Sequence, residues 1–122
     1  MIVDSSAIIA VLLREPGWEE LVTKLGAEPA AGVGAPTLVE TGLVLTAKIG
    51  KRARSLLARF LQEARLVVVP FGEEHWAAAV TAYERFGKGR HPAGLNFGDC
   101  LTYAVAHLAR EPLLFVGEDF AR

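Results

Sequence analysis

The stretch Leu66-Val67-Val68-Val69 is followed closely by the chain breakers Pro70 and Gly72. A continuous apolar run rich in β-branched residues is typical of a strand covered on both faces, as in a parallel sheet. We therefore expect residues 66–69 to form a strand with helices packed over both of its faces.

Helical segments lie on either side of this strand. Lys51 to Arg65 is the clearest of them, because its larger apolar residues recur at helical spacing and share one face. Glu73 to Phe86 is predicted as the helix that follows. Further helices are predicted over residues 7–14, 18–25, 38–48 and 96–110, and further strands over 1–3, 30–35 and 113–116. Because strands and helices alternate, the sequence predicts an α/β domain with a parallel sheet.

Length and composition narrow the class of protein. A chain of 122 residues, just over half of them hydrophobic, is expected to form one domain with a substantial core. The single cysteine, Cys100, excludes an internal disulfide and is typical of a reducing compartment. Asp4 interrupts the first apolar run, and no apolar stretch approaches the length of a membrane span. We therefore expect a soluble, cytoplasmic protein.

The formal net charge of −1 conceals an uneven distribution of charge. Residues 48–90 hold nine Lys or Arg against four Glu, whereas the flanking segments are acidic. A basic middle around an acidic centre suits a polyanionic substrate, although solvated helix faces account for the same pattern.

Four acidic residues lie near the end of a predicted strand or the start of a predicted helix. Asp4 ends the first strand, and Asp119 follows the last strand by a short distance. Glu40 and Asp99 lie near the start of predicted helices. Ligands of open α/β sheets bind beyond the carboxyl ends of the strands, so all four side chains are placed to face one crevice.

Each acid also has a simpler interpretation. Asp4 is a candidate helix N-cap, and Asp119 could lie in a turn. Thr37 and Glu40 match a capping box, and Asn96 with Asp99 resembles a second cap. Any one acid is explained in this way. Together they favour a metal site, because divalent cations with oxygen ligands relieve the repulsion between gathered carboxylates. Zinc is disfavoured, since the three histidines are dispersed and only one cysteine is present.

Four segments carry a pattern that extends beyond the acids. They read Met-Ile-Val-Asp-Ser-Ser-Ala at 1–7, Pro-Thr-Leu-Val-Glu-Thr at 36–41, Leu-Asn-Phe-Gly-Asp-Cys-Leu at 95–101 and Leu-Phe-Val-Gly-Glu-Asp-Phe at 114–120. In this order they resemble the PIN-domain family and, more narrowly, the VapC-type toxins of toxin–antitoxin modules. The resemblance covers essentially the whole chain.

The resemblance implies one PIN-like nuclease domain over residues 1–122, with a three-layer α/β/α fold. Its central, mainly parallel sheet would have four to five strands. The implied function is that of a toxin, an endoribonuclease that uses Mg²⁺ or Mn²⁺ to cut RNA. The implied partners are a VapB-type antitoxin and a second copy of the chain in a homodimer, with no membrane.

Residue by residue, three central acids of the family match Asp4, Glu40 and Asp99, and the more variable fourth acid matches Asp119. Our hypothesis is that Asp4 and Asp99 ligate the principal metal. Glu40 would hold a ligand or the attacking water, and Asp119 would support a second metal position. A metal-activated water would then attack the phosphodiester.

Two further family positions support the acids. Ser6 matches a small hydroxyl near the metal, and Asn96 matches a residue that positions the helix of Asp99. Outside the family pattern, Arg90 and His91 are candidates to contact RNA, with a solvated loop as the equal alternative. Cys100 is interpreted as a core residue because no histidine base is near it in sequence.

Two other functions remain open at this point. A magnesium-dependent phosphatase on a doubly wound sheet is less favoured, because such enzymes place a second Asp where this chain has Ser6. The other is a catalytically weak PIN module that binds nucleic acid or an antitoxin, with apolar surface serving as partner interface.

Overall fold

The computed structural model describes residues 1–87, 89 and 92–117, and this part of the chain contains four strands and six helices. The strands are β1 Ile2–Val3, β2 Ala31–Gly34, β3 Leu66–Val69 and β4 Leu113–Leu114. The helices are α1 Ser5–Leu12, α2 Trp18–Gly26, α3 Ala35–Ile49, α4 Arg52–Glu63, α5 Glu73–Phe86 and α6 Phe97–Ala109. In the part of the chain described, no helix combines the length and apolar character needed to cross a membrane.

The sheet has the strand order β3-β2-β1-β4, and every neighbouring pair is parallel. The chain moves outward from β1 to β3 and then returns to place β4 on the other side of β1. The strand order therefore reverses between β1 and β4, which is the position where ligands bind in open α/β sheets. The predicted α/β class and parallel sheet are confirmed.

Neighbouring residues of a strand point to opposite faces of its sheet, and the two faces carry separate cores. Val3 and Leu114 belong to the core formed with helices α1 to α4. Ile2 and Leu113 instead pack with residues of α6 on the opposite face. This division produces the three-layer α/β/α arrangement implied by the resemblance.

The strand β3 has the predicted bounds, but the expectation that both of its faces are covered is wrong. Val67 is 62% exposed and Val68 is 42% exposed, although they point to opposite faces. The reason is topological: β3 is the edge strand of the described sheet, with β2 as its neighbour. A β-branched run therefore specified a strand here without specifying its burial.

Helix α3 starts earlier than predicted, and this removes one of the simpler interpretations. Its N-cap is Gly34, and Pro36 lies in its first turn, where a missing N–H costs no helical hydrogen bond. Thr37 is therefore inside the helix, and the interpretation of Thr37 and Glu40 as a capping box is wrong. At the other end, Gly50 closes the helix with a φ of 71°, as its position in the sequence predicts.

Gly34 also sets how closely α6 approaches the sheet, which leads to a first prediction. A Cβ on Gly34 would lie 2.8 Å from Cγ2 of Val105, a buried and stiff side chain of α6. We expect Gly34→Ala to lower the free energy of unfolding by about 1–3 kcal/mol through overpacking.

Denaturant unfolding measures this effect, with Gly26→Ala as the matched control. Apart from its chain neighbours and the backbone of its own helix, a Cβ on Gly26 would meet no atom of the described residues within 4 Å, so that substitution should cost no stability. Equal destabilisation of both variants would contradict the overpacking argument.

Candidate active site

Asp4 follows β1 directly and is the N-cap of α1, as its simpler interpretation predicted. Its Oδ2 accepts hydrogen bonds from the backbone N–H of Ser6 at 3.1 Å and from the Ser6 hydroxyl at 2.6 Å. The Ser6 oxygen in turn accepts from the backbone N–H of Val116, just beyond β4, at 3.0 Å. Ser6 thus joins Asp4 to the chain after β4, across the point where the strand order reverses.

Two buried threonines support the other oxygen of Asp4. Thr102 of α6 donates its hydroxyl to Asp4 Oδ1 at 2.7 Å. The hydroxyl of Thr37, on α3, lies 3.1 Å from that of Thr102. An ionised carboxylate only accepts, so the Thr102 proton is committed to Asp4, and Thr37 must donate to Thr102. Asp4 is therefore connected to both α3 and α6.

Asp99 lies in the first turn of α6, one turn before Thr102. Its Oδ2 accepts from the backbone N–H of Asn96 at 3.0 Å, and the Asn96 side-chain oxygen accepts from the N–H of Asp99 at 2.9 Å. This reciprocal pair is a capping box, so the predicted cap is confirmed. Asp99 is nevertheless buried, whereas Asn96 is exposed, which places the carboxylate inward at the start of the helix.

Glu40 is half-buried on α3, and its carboxylate packs against the backbone of Gly98 in the first turn of α6. A Cβ on Gly98 would overlap Glu40 Oε2 and would lie 3.0 Å from Cδ and 3.1 Å from Oε1. Only glycine therefore allows the carboxylate to approach this turn so closely. Glu40 therefore lies against the residue that precedes Asp99, and Asp4 is hydrogen-bonded to Thr102 one turn further along the same helix.

Asp4 thus lies at the carboxyl end of β1, Asp99 in the first turn of α6, and Glu40 in the second turn of α3, against the first turn of α6. The other predicted site residues, Asp119, Arg90 and His91, lie outside the described residues.

Sequence reasoning did not single out Thr37, Thr102 or Gly98 as parts of the site. Helical spacing offered a signal for the threonines, since residues three apart lie on the same side of a helix. Thr37 precedes Glu40 by three residues, and Thr102 follows Asp99 by three. For Gly98 no local signal existed, because its constraint comes from a side chain on another helix.

The donor atoms of these residues suit a hard divalent cation. Carboxylate oxygens are preferred by Mg²⁺, which commonly uses one or two of them and completes its shell with water and substrate phosphate. Within residues 1–87, 89 and 92–117, no three His, Cys, Asp or Glu side chains form a metal-binding cluster. The chemistry of the Asp4, Glu40 and Asp99 carboxylates would suit a hydrated Mg²⁺ ion better than zinc, whose sites commonly use His and Cys.

Cys100 follows Asp99 but belongs to the core between α5 and α6. Burial raises the pKa of its thiol, and the neighbouring Asp99 carboxylate raises that pKa further. A thiol is nucleophilic as its thiolate, so both effects oppose reactivity. The geometry agrees with the interpretation of Cys100 as a packing residue.

The chain matches a known protein family and known relatives over nearly its whole length. The PIN-domain family model matches residues 1–122. The chain is 47% identical over 121 residues to ribonuclease VapC36 of Mycobacterium tuberculosis, covering 98% of this chain and 87% of that protein. It is 38% identical over 120 residues to ribonuclease VapC of Mycolicibacterium smegmatis, covering 98% and 93%.

Two solved structures share the fold. One is M. tuberculosis VapC20, a sarcin–ricin loop cleaving toxin, with a TM-score of 0.79, 18% identity and coverage of 98% of this chain and 92% of that one. The other belongs to a toxin–antitoxin complex from Klebsiella pneumoniae, with a TM-score of 0.72, 19% identity and coverage of 98% and 89%. With the family match over its whole length and relatives of up to 47% identity, the chain belongs to the PIN-domain family and, within it, to the VapC ribonuclease toxins.

Proposed function

We propose that this chain is a divalent-metal-dependent endoribonuclease, with Mg²⁺ or Mn²⁺ as its cofactor and an RNA phosphodiester as its substrate. The observation that carries the proposal is that Asp4 accepts a hydrogen bond from Thr102, one turn after Asp99 on α6, while Glu40 of α3 lies against Gly98, the residue before Asp99. Asp4 is buried, and the ion pairs among the described residues do not include it. A buried carboxylate without a cationic partner is costly, and a bound cation would offset that cost.

In the proposed mechanism, Asp4 and Asp99 hold the principal ion and Asp119 supports a second position. The ion, when bound, would supply a water of lowered pKa and neutralise charge on the phosphate. The hydrogen bonds from Ser6 and Thr102 occupy three of the roughly four acceptor positions of the Asp4 carboxylate. Acceptor capacity therefore remains on Oδ1.

The remaining side chains hold the reactants in place. Glu40 is more accessible than the two aspartates and would orient the attacking water through its carboxylate. Asn96 fixes the first turn of α6 and thereby the position of Asp99. We propose that Arg90 and His91 contact the RNA.

The proposed partners follow from the family. We propose that the chain acts in the cytoplasm as the toxin of a VapBC-type pair, neutralised by a VapB-type antitoxin, and that it forms a homodimer. Val39 and Leu43, one turn apart on α3, are 62% and 68% exposed, and such apolar surface is typical of protein contacts. Sedimentation of the purified chain tests the homodimer, and a purely monomeric protein would exclude it.

Removal of the metal tests the proposed chemistry directly. We expect excess EDTA to abolish RNA cleavage by the purified chain, because without the ion nothing would lower the pKa of the attacking water or neutralise the charge that develops on the phosphate. Added Mg²⁺ or Mn²⁺ beyond the chelator should restore cleavage, as followed on a labelled RNA. Cleavage that continues at full rate in EDTA, but is absent from Asp99→Asn protein purified in the same way, would overturn the proposal.

A further inference from the structure

The buried hydroxyls of Thr37 and Thr102 connect three elements that are distant in sequence. Thr102 Oγ1 lies 2.7 Å from Asp4 Oδ1, across 98 residues of chain. Thr37 Oγ1 lies 3.1 Å from Thr102 Oγ1, across 65 residues. Both threonines are almost completely inaccessible, with exposures of 0% and 1%, so water does not compete for these bonds.

The direction of the hydrogen bonds is determined by the carboxylate. Asp4 accepts from Thr102, which leaves the Thr102 oxygen as the acceptor for Thr37. The backbone oxygen of Thr37 is itself bound by the Thr41 hydroxyl at 2.7 Å, which anchors this position within α3. The three groups therefore form a one-way chain that runs from α3 through α6 to Asp4.

We propose that Thr102 is a positioning residue for Asp4 and that Thr37 is the positioning residue for Thr102. The inference rests on the proposed function, in which Asp4 holds the metal. Thr102 fixes the rotation of the Asp4 carboxylate by holding Oδ1, while Ser6 holds Oδ2. Groups that orient a metal ligand typically alter metal affinity by about 10- to 100-fold when they are lost.

Each threonine lies on the same helix as one of the acids. Thr102 lies one turn after Asp99, and Thr37 lies one turn before Glu40, so the hydrogen bond between the hydroxyls also sets the register of α3 against α6. A simple packing role would need the shape of the threonine side chain but not its hydroxyl. Replacement by an isosteric apolar residue separates these two roles.

The test compares Thr102→Val, which keeps the shape and loses the hydroxyl, with Thr102→Ser, which keeps the hydroxyl. Mn²⁺ affinity is measured by calorimetry on the full chain, and crystal structures of both variants report the orientation of the Asp4 carboxylate. We expect Thr102→Val to bind Mn²⁺ about 10- to 100-fold more weakly and to show a rotated Asp4. Thr102→Ser should resemble the unmodified chain in both measurements.

Several outcomes would overturn the inference. These are an unmoved Asp4 in Thr102→Val, unchanged Mn²⁺ affinity in that variant, or equal losses in Thr102→Val and Thr102→Ser. If Thr102→Val fails to fold, the pair Thr37→Val and Thr37→Ser tests the same hydrogen-bond chain from its other end, with a smaller loss expected in the valine variant. An unmodified chain that binds no Mn²⁺ would instead reject the proposed function, while the orientation of Asp4 would still decide the role of Thr102.

Discussion

Purified Asp99→Asn protein is expected to cleave RNA about 100- to 1,000-fold more slowly than the unmodified chain while remaining folded. The substitution removes a charge from the proposed metal site, and metal-centred charge stabilisation is worth several kcal/mol in the transition state. Each loss of about 1.4 kcal/mol lowers the rate tenfold. The measurement is kcat/KM on a labelled RNA in saturating Mg²⁺.

The Asp99→Asn variant should lose activity but little stability, because its capping box can still form. The side-chain oxygen of an asparagine at 99 can still accept the hydrogen bond from the Asn96 N–H that now measures 3.0 Å. The interaction of the negative charge with the helix dipole is lost, a cost of about 0.3–1 kcal/mol. The thermal midpoint should therefore fall little, and circular dichroism should be unchanged.

Glu20→Gln is the matched control, because it also removes one negative charge. Glu20 is exposed on α2 and pairs with Lys24 at 3.6 Å. The Glu20→Gln variant should retain full activity. A full-rate Asp99→Asn variant would contradict the proposed site. Growth arrest that persists in cells expressing an Asp99→Asn variant already shown to be inactive would favour a module that acts by binding.

The second large effect is expected from Gly98→Ala, a variant in which no acidic residue is substituted. The added methyl group would occupy the space of the Glu40 carboxylate and force that flexible side chain aside. Misplacing a reacting group by about 1 Å can cost about 100-fold in rate, and we expect a loss of that order. Because alanine is favoured over glycine in a helix by up to about 1 kcal/mol, the thermal midpoint should stay level or rise.

Gly42→Ala provides the comparison, since it makes the same chemical change within α3. A Cβ on Gly42 would meet Leu57 Cδ2 at 3.7 Å, which is an ordinary contact. This variant should be both stable and active. If Gly98→Ala cleaves RNA as fast as Gly42→Ala, the position of Glu40 against α6 has no role in the reaction.

Features that depend on neighbouring residues were predicted well from the sequence. The bounds of β3 and α5 agree with the structure, because a β-branched run and an uninterrupted helical segment are each bounded by proline or glycine. The capping box of Asn96 and Asp99 was also predicted, since its two partners are three residues apart. Capping preferences failed at α3, where Gly34 and Pro36 start the helix before Thr37. They also failed at the end of α2, where Gly26 was predicted as the C-cap but Ala27 takes that position.

Features that depend on topology were not predicted. Two faces of β3 were expected to be covered, and Val67 and Val68 are exposed because strand order places β3 at an edge. The approach of Glu40 to Gly98 was equally hidden, because it depends on how α3 crosses α6. In the same way, nothing near residue 102 in sequence indicates that its hydroxyl meets Asp4.

The sequence by itself determined the alternation of strands and helices and the location of three acids at their junctions. These properties arise from hydrophobic period, turn residues and caps, which act over a few residues of chain. The tertiary structure alone decided which polar groups meet: Asp4 with Thr102, Thr102 with Thr37, and Glu40 with Gly98. Those pairs depend on strand order and helix packing. Contacts along the whole chain determine both, so the residues next to any one position do not reveal them.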